Sequence, residues 1–396
     1  MANPKKLPIP TDDAKALSEQ LTQKIRTHLK RSSQPMRFSQ FMEAVLYTPN
    51  LGYYSNSLPK IGSEGDFITA PEVSPIFSRC LARQAKQALE QLSEPNIVEF
   101  GAGRGRMAGD ILRELERLNQ PLERYYIIEI SAELQQQQQA YLQSTLPQHL
   151  FAKLSWLSKL PSQPIRAVVL ANELLDAMPF ERLRIEPDRA LQAYVTFNEQ
   201  SQRFDWDYQP ITEPSMQRFV NQLIKHLGKV SDLGYETEIN LNIGPWLKAV
   251  SDSLSQGLVL LIDYGYSRQE YYQPARVMGT LRCHYQHRAH QNPFFYPGLQ
   301  DITAHVDFTA VAEAGFDAGF KIAGYTTQAH FLMGSGLLDM AIDPDADITE
   351  QIRLAQQIKT LTLPDEMGET FKVMALTKQL ENSLMGFSVR DLRHQL

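Results

Sequence analysis

A short apolar run at residues 96–100 leads into Glu99-Phe100-Gly101-Ala102-Gly103-Arg104-Gly105, an acid followed by three alternate glycines and then a helical pattern. Glycines let the backbone turn sharply and approach a ligand closely, and the helix behind them presents amides that lack intrahelical partners. A dinucleotide fingerprint would carry its third glycine at position 106, where this chain has Arg106. The spacing therefore favours S-adenosylmethionine over a dinucleotide. The next apolar run ends in Ile128-Glu129-Ile130-Ser131, placing Glu129 24 residues beyond Gly105. A carboxylate there accepts both hydroxyls of a ribose; the alternative is a charge at a helix N-terminus.

A second constellation follows the apolar run AVVLAN, in Ala171-Asn172-Glu173-Leu174-Leu175-Asp176-Ala177-Met178-Pro179-Phe180. Polar groups at the carboxyl end of a parallel strand sit in the crevice where such sheets bind ligands. Asn172, Glu173 and Asp176 are thus candidates for a site, with capping of the next turn as their alternative role. Asp263-Tyr264-Gly265-Tyr266 closes a further strand at the same edge. His305, in Ala304-His305-Val306-Asp307 at the start of a helix, is a candidate general base or orienting group, or else a packed imidazole. Cys283, His284, His287 and His290 have zinc-ligand chemistry, but spacings of three on an extended segment suit one metal poorly. No metal site is expected.

The elements that must hold these residues are an alternation of apolar runs with amphipathic stretches. Strands are expected at 96–100, 125–130, near 151–157, at 167–172 and at 257–265, with helices at 104–118 and 131–143. Fully apolar strands alternating with helices indicate a parallel sheet covered on both faces. Residues 1–95 read as mostly helical, with helices at 12–30, 38–47 and 76–92. These flank a long Gly- and Pro-containing segment that holds Tyr53, Tyr54 and Phe67. Residues 181–242 read as an insertion with hairpin strands, a helix at 215–227 and a strand at 235–241. A helix at 307–317, a strand near 320–328 and a last strand at 371–378 complete the chain. The glutamine run 135–139 reads as a solvated helix face. The apolar patterns of 76–92 and 345–361 are expected to face the core, with a partner surface as the alternative.

Composition narrows the classes. With 396 residues, 43% of them hydrophobic, the chain is too apolar to be disordered, and a net charge of −6 gives it no general grip on nucleic acid or anionic membrane. Two cysteines make no disulfide framework. The opening MANPKKLPIPTDD has no hydrophobic stretch behind its lysines, so neither a signal nor a transit peptide is expected, and no run spans a bilayer. The expectation is a soluble, cytoplasmic protein without nucleic-acid or membrane partners; its oligomeric state is open.

Over nearly its whole length the chain resembles the MidA-like class I S-adenosylmethionine-dependent methyltransferases, relatives of a mitochondrial complex I assembly factor that methylates a protein arginine. The likeness runs through YYSNSLPKIGSEGDFITAPEVSPIF, IVEFGAGRGRMAGDIL, VLANELLDAMPFERL, VLLIDYG, GTLRCHYQHR and GLQDITAHVDFTAVAEAGF. GDFITAPEVSP and NELLDAMP belong to this family, whereas all class I methyltransferases share the glycine loop. His284 stands where an aromatic residue is expected, which bears on substrate choice.

The resemblance implies an α/β fold: a Rossmann-like, seven-stranded mixed sheet with an N-terminal helical cap and an inserted α+β subdomain. The corresponding division is 1–95, a helical cap with a cofactor-covering loop; 96–180, the first part of the cofactor-binding core; 181–242, a substrate roof; and 243–396, the second part of the core. Glu99, Gly101, Gly103 and Gly105 would hold the methionine portion of S-adenosylmethionine and Glu129 the ribose, with Ile130 and Asn172 beside them. A residue of the GDFITAPE loop, with Asp66, Phe67, Thr69 and Glu72 as candidates, would close over the cofactor, Gly65, Thr69 and Pro71 would bind it, and Tyr53 and Tyr54 would either cover the sulfonium or serve the structure. An arginine acceptor is protonated, so paired carboxylates must localise its charge away from the attacking nitrogen. Glu173 and Asp176 are the expected pair, Asp66 or Glu72 the substitutes. The expected partner is a protein substrate, a respiratory-complex subunit by this resemblance. The rival readings are a small-molecule or other-residue methyltransferase, and a cofactor-binding assembly factor without turnover.

Overall fold

The computed structural model describes residues 7–396 apart from 33, 57, 59–68, 229–233, 342–346 and 382. Gly65, Asp66 and Phe67 of the expected covering loop lie outside the described residues. The chain forms two compact units, each assembled from three stretches of sequence: Met1–Phe67, Ala177–Asn242 and Gln269–His305 in one, and Ile68–Asp176, Ile243–Arg268 and Val306–Leu396 in the other. The expected division at 95, 180 and 242 runs along the chain, whereas these units are discontinuous in sequence.

The larger unit is built on one mixed sheet. Its strands lie side by side in the order Lys321–Thr327, Phe371–Lys378, Leu254–Tyr266, Ile165–Asn172, Asn96–Phe100, Arg124–Ile128 and Leu154–Leu157. The last five of these are mutually parallel, and Phe371–Lys378 runs antiparallel to both of its neighbours. This is the expected seven-stranded mixed sheet, with the two-residue strand Val306–Asp307 added beside Gly265 and Tyr266 as an eighth. Strand Asn96–Phe100 is buried at every position because helices cover both faces of the sheet. Helix Pro75–Leu89 starts as its sequence dictates: the Ser74 side chain accepts from the Ile76 amide and proline occupies the first helical position. Its apolar face joins Ile97, Leu112, Tyr125, Val168 and Leu260 in a single core.

Strand order reverses between Asn96–Phe100 and Ile165–Asn172. These two strands are neighbours, with Phe100 opposite Ala171, yet the chain leaves them toward opposite edges of the sheet. Such a switch point leaves a crevice at the carboxyl ends, where open α/β sheets bind ligands.

The second unit is antiparallel. Helices Asp12–Arg31 and Phe38–Tyr47 accompany a five-stranded sheet made of Met36–Arg37, Glu181–Ile185, Ala190–Asn198, Arg203–Pro210 and Tyr235–Ile239. A smaller sheet holds Arg282–Tyr285, Arg288–His290 and Asp301–Thr303. Its core is aromatic, with Phe38, Phe41, Phe180 and Phe204 buried together and Phe38 4.8 Å from Trp206. Arg182 is buried with Glu236 and Glu238, and Glu238 also accepts from the amide (2.7 Å) and hydroxyl (3.0 Å) of Thr280.

Three expectations need correction. Strand Arg203–Pro210 was not expected; it pairs along its whole length with Ala190–Asn198. The helix expected at 345–361 begins at Ile348 and commits little of its apolar surface to the core: Leu361 is buried and Leu354 and Ile358 pack partly, but Ile348 and Ile352 are 76% and 55% exposed. The glutamine run is not uniformly solvated, since Gln138 is fully buried.

Candidate active site

The glycine loop follows directly from strand Asn96–Phe100. Gly101, Gly103 and Gly105 have φ of 62°, 52° and 85°, left-handed values that exact a steric cost from any side chain. Space adds a second constraint at Gly105, where a Cβ would lie 3.1 Å from the Leu142 side chain. Helix Arg106–Arg117 begins immediately afterwards, with Gly105 at its cap, so its first amides face the loop.

Glu99 is fully buried. Its Oε2 accepts from the Tyr125 hydroxyl at 2.6 Å, while Oε1 has no hydrogen-bond partner among the described residues. Burial pushes its carboxyl up to about 7 despite the tyrosine bond, and the negative charge of Glu129 pushes in the same direction. Glu129, at the end of the neighbouring strand, is 6% exposed. Its Oε1 accepts from the Ser131 amide at 2.9 Å, so it does serve the helix start, and its Oε2 accepts from Gln138 Nε2 at 3.1 Å. The same Gln138 nitrogen lies 3.0 Å from the Gly103 carbonyl, and Trp156 Nε1 donates to Gln138 Oε1. Ile130, next to Glu129, is 64% exposed, unusual for so large an apolar side chain.

Across the switch point, strand Ile165–Asn172 ends in a turn at Glu173, whose φ is 50°. Asn172 Nδ2 donates to Glu173 Oε1 at 3.2 Å, and Asn172 Oδ1 is buried with no hydrogen-bond partner among the described residues. Asp176 is buried and Glu173 half-buried. Asp263, 1% exposed and three residues before the end of the adjacent strand Leu254–Tyr266, accepts from the amides of Leu175 and Asp176. Burial, then the charge of Asp176, then that of Glu173 raise the Asp263 carboxyl well above the usual range, against the pull of those amide bonds.

In the same unit, Thr69 caps the short helix Ala70–Val73, which contains Pro71, and Glu72 pairs with Arg106 at 2.9 Å. Glu72 is thereby committed to the cation that replaces the dinucleotide glycine.

The other expected residues belong to the antiparallel unit. Tyr53 is buried against Tyr54, and the Tyr54 hydroxyl donates to Asp301 Oδ1 at 2.8 Å. His305 ends that unit, its amide donating to the Thr280 hydroxyl at 3.1 Å; the helix begins beyond it at Phe308, capped by Asp307. Cys283 is buried and free, and His284 and His290 lie on a hairpin. Burial and then the His284 charge lower His290 to about 4. Among the described residues no group of three or more His, Cys, Asp or Glu forms a metal site, and no helix is long and apolar enough to cross a membrane.

Sequence reasoning missed Gln138, one of five consecutive glutamines and the one that braces the loop. It noted Asp263 only as a polar residue at the right edge.

A doubly wound sheet with an acid-led glycine loop at its switch point and an acid ending the next strand defines a class I methyltransferase. Residues 80–326 match the profile of a family described as S-adenosyl-L-methionine-dependent methyltransferases, and the chain belongs to that family. A Burkholderia thailandensis protein solved bound to S-adenosyl-homocysteine is 38% identical, with a TM-score of 0.93 over 99% of this chain and 100% of that one. Among curated relatives, the mitochondrial protein arginine methyltransferase NDUFAF7 homolog of Drosophila melanogaster is 27% identical over 95% of this chain and 89% of its own. The human NDUFAF7 protein arginine methyltransferase is 26% identical over 87% and 81%. The chain is accordingly an S-adenosylmethionine-dependent methyltransferase.

Proposed function

We propose that this chain methylates an arginine side chain of a protein, a respiratory-complex subunit being the kind of substrate that the sequence resemblance implies. The observation that carries the reading is the meeting of Glu173, Asp176 and Asp263 near the carboxyl ends of adjacent parallel strands. A site that crowds three carboxylates is suited to a cation, and the relatives' names supply the arginine.

The residues present fit the cofactor. Glu99 Oε1 and Asn172 Oδ1 are buried acceptors without donors among the described residues, at the carboxyl ends of neighbouring strands, where an ammonium group would satisfy them. Gly101, Gly103 and Gly105 leave room for a close backbone approach, Glu129 at the end of the neighbouring strand would take the ribose diol, and exposed Ile130 offers an apolar platform. Thr69 and Pro71 would border the same site. When bound, S-adenosylmethionine supplies an electrophilic methyl carbon on a cationic sulfur.

The protein's task is then alignment and exclusion of water. Glu173 and Asp176 bind the guanidinium in bidentate fashion and localise its charge, leaving one nitrogen free to attack. The proton that this nitrogen loses passes to a carboxylate of that pair.

Incubating the protein with methyl-labelled S-adenosylmethionine and host lysate, then locating the label, tests the assignment. Label on an arginine is expected; label on lysine or on a metabolite refutes it. Glu173→Gln should abolish labelling while leaving S-adenosylhomocysteine affinity within a few-fold, and unchanged labelling would remove Glu173 from the mechanism.

A further inference from the structure

We infer that Asp263 is a positioning residue that holds the Glu173–Asp176 turn in its working shape; the inference rests on the reading of that pair as the acceptor-binding groups. The ladder between Leu254–Tyr266 and Ile165–Asn172 ends at the pair Ile262 and Asn172. Beyond it Glu173 takes a left-handed φ and the chain leaves the sheet. The departing turn is nevertheless gripped by the strand it leaves. The Glu173 amide donates to the Ile262 carbonyl at 2.8 Å, and the amides of Leu175 and Asp176 donate to Asp263 Oδ2 at 2.9 and 3.2 Å. Asp263 Oδ1 accepts from the Tyr264 amide at 2.9 Å, which fixes the plane of the carboxylate. Two consecutive residues, Ile262 and Asp263, thus receive three amides of the turn.

A hydrophobic residue at 263 would leave the Leu175 and Asp176 amides without their acceptor. An asparagine would serve them through its carbonyl oxygen, turning its NH2 toward the Tyr264 amide in place of Oδ1, and would bury no charge beside Asp176 and Glu173. The geometric role and the charge at this position can therefore be separated by substitution.

Hydrogen exchange over residues 172–177, calorimetry with S-adenosylhomocysteine and methyl labelling of host lysate together test the proposal on three proteins: wild type, Asp263→Ala and Asp263→Asn. Asp263→Ala should lose exchange protection at Leu175 and Asp176 and label about 100-fold less, the cost of misplacing reacting groups by about 1 Å, with S-adenosylhomocysteine affinity within about threefold. Asp263→Asn should keep the protection and label within about tenfold of wild type, because the oxygen that holds the amides is restored. Retained protection in Asp263→Ala overturns the proposal. So does a parallel loss of cofactor affinity and labelling in both variants, which marks a general structural role. If Glu173→Gln and Asp176→Asn label like wild type while Asp263→Ala loses protection, the acceptor-pair reading fails and the pinning of the turn stands. The exchange result decides the pinning whatever acceptor the lysate contains.

Discussion

Gln138 and Glu129 are joined side chain to side chain beneath the glycine loop: Gln138 Nε2 lies 3.1 Å from Glu129 Oε2 while also donating to the Gly103 carbonyl. One buried amide thereby fixes the distance between the loop and the acid that ends the next strand. Replacing Gln138 with Leu deprives both acceptors, and the Trp156 indole, of their partner. A stability loss of about 2 kcal/mol is expected, together with roughly tenfold weaker S-adenosylhomocysteine binding. Thermal unfolding and calorimetry measure the two; unchanged affinity would show that the loop holds its shape without the brace.

Much of the fold is written in the sequence, and the residues that escape have a common reason. Strands Asn96–Phe100 and Phe371–Lys378 lie at the expected positions because each is a short, mostly apolar run bounded by turn residues. Arg203–Pro210 alternates Phe204, Trp206 and Tyr208 with Asp205, Asp207 and Gln209, a strand pattern; its pairing with Ala190–Asn198 is what the packed structure adds. Gln138 is chemically identical to its four neighbours. Which glutamine turns inward depends on how the helix packs against a loop 35 residues earlier. Asp263 was visible as an acid near a strand end, but its role depends on amides 87 and 88 residues away. Local pattern reveals elements and the glycine loop; bracing between distant elements becomes visible only in the packed structure.

Glu99 predicts a pH dependence. Its folded carboxyl, near 7, lies above its ordinary 4.5, so the native state binds more protons than the unfolded state between those values. Stability of the cofactor-free protein should therefore fall as pH rises from about 4.5 to about 7 and level off above, costing roughly 3 kcal/mol in all. Glu99→Gln keeps an acceptor for the Tyr125 hydroxyl and cannot ionise. Its stability advantage over wild type should be near zero at about pH 4 and full at about pH 8, read from denaturant midpoints at each pH. An advantage that does not change with pH would place the titration elsewhere.

Arg182 predicts the cost of an orphaned charge. Its guanidinium, 7% exposed, faces both Glu236 and Glu238, and Glu238 is itself buried. Arg182→Leu takes the guanidinium from Glu238 and leaves Glu236 with Arg184 and the Tyr208 hydroxyl, and should cost about 3–5 kcal/mol. Adding Glu238→Gln to that variant removes the stranded charge and should recover part of the loss. Denaturant unfolding of the two single variants and the double supplies the coupling, and additive losses would mean that the pair does not interact.

Glu173 carries the sharpest conflict between stability and function. Its φ of 50° costs an ordinary side chain about 1–2 kcal/mol, whereas glycine adopts it freely, and an enzyme built for stability alone would place glycine here. Glu173→Gly forfeits the 3.2 Å bond from Asn172 and frees the unfolded chain, which offsets part of the relief. The expected result is a protein as stable as wild type or more so, by up to about 1 kcal/mol, that still binds S-adenosylhomocysteine and transfers no methyl group. Thermal melts, calorimetry and labelling of lysate read the three properties independently. A stability loss above about 1 kcal/mol would show that the Glu173 carboxylate holds the turn together, and that the strain at this position is sustained by structure and not by catalysis.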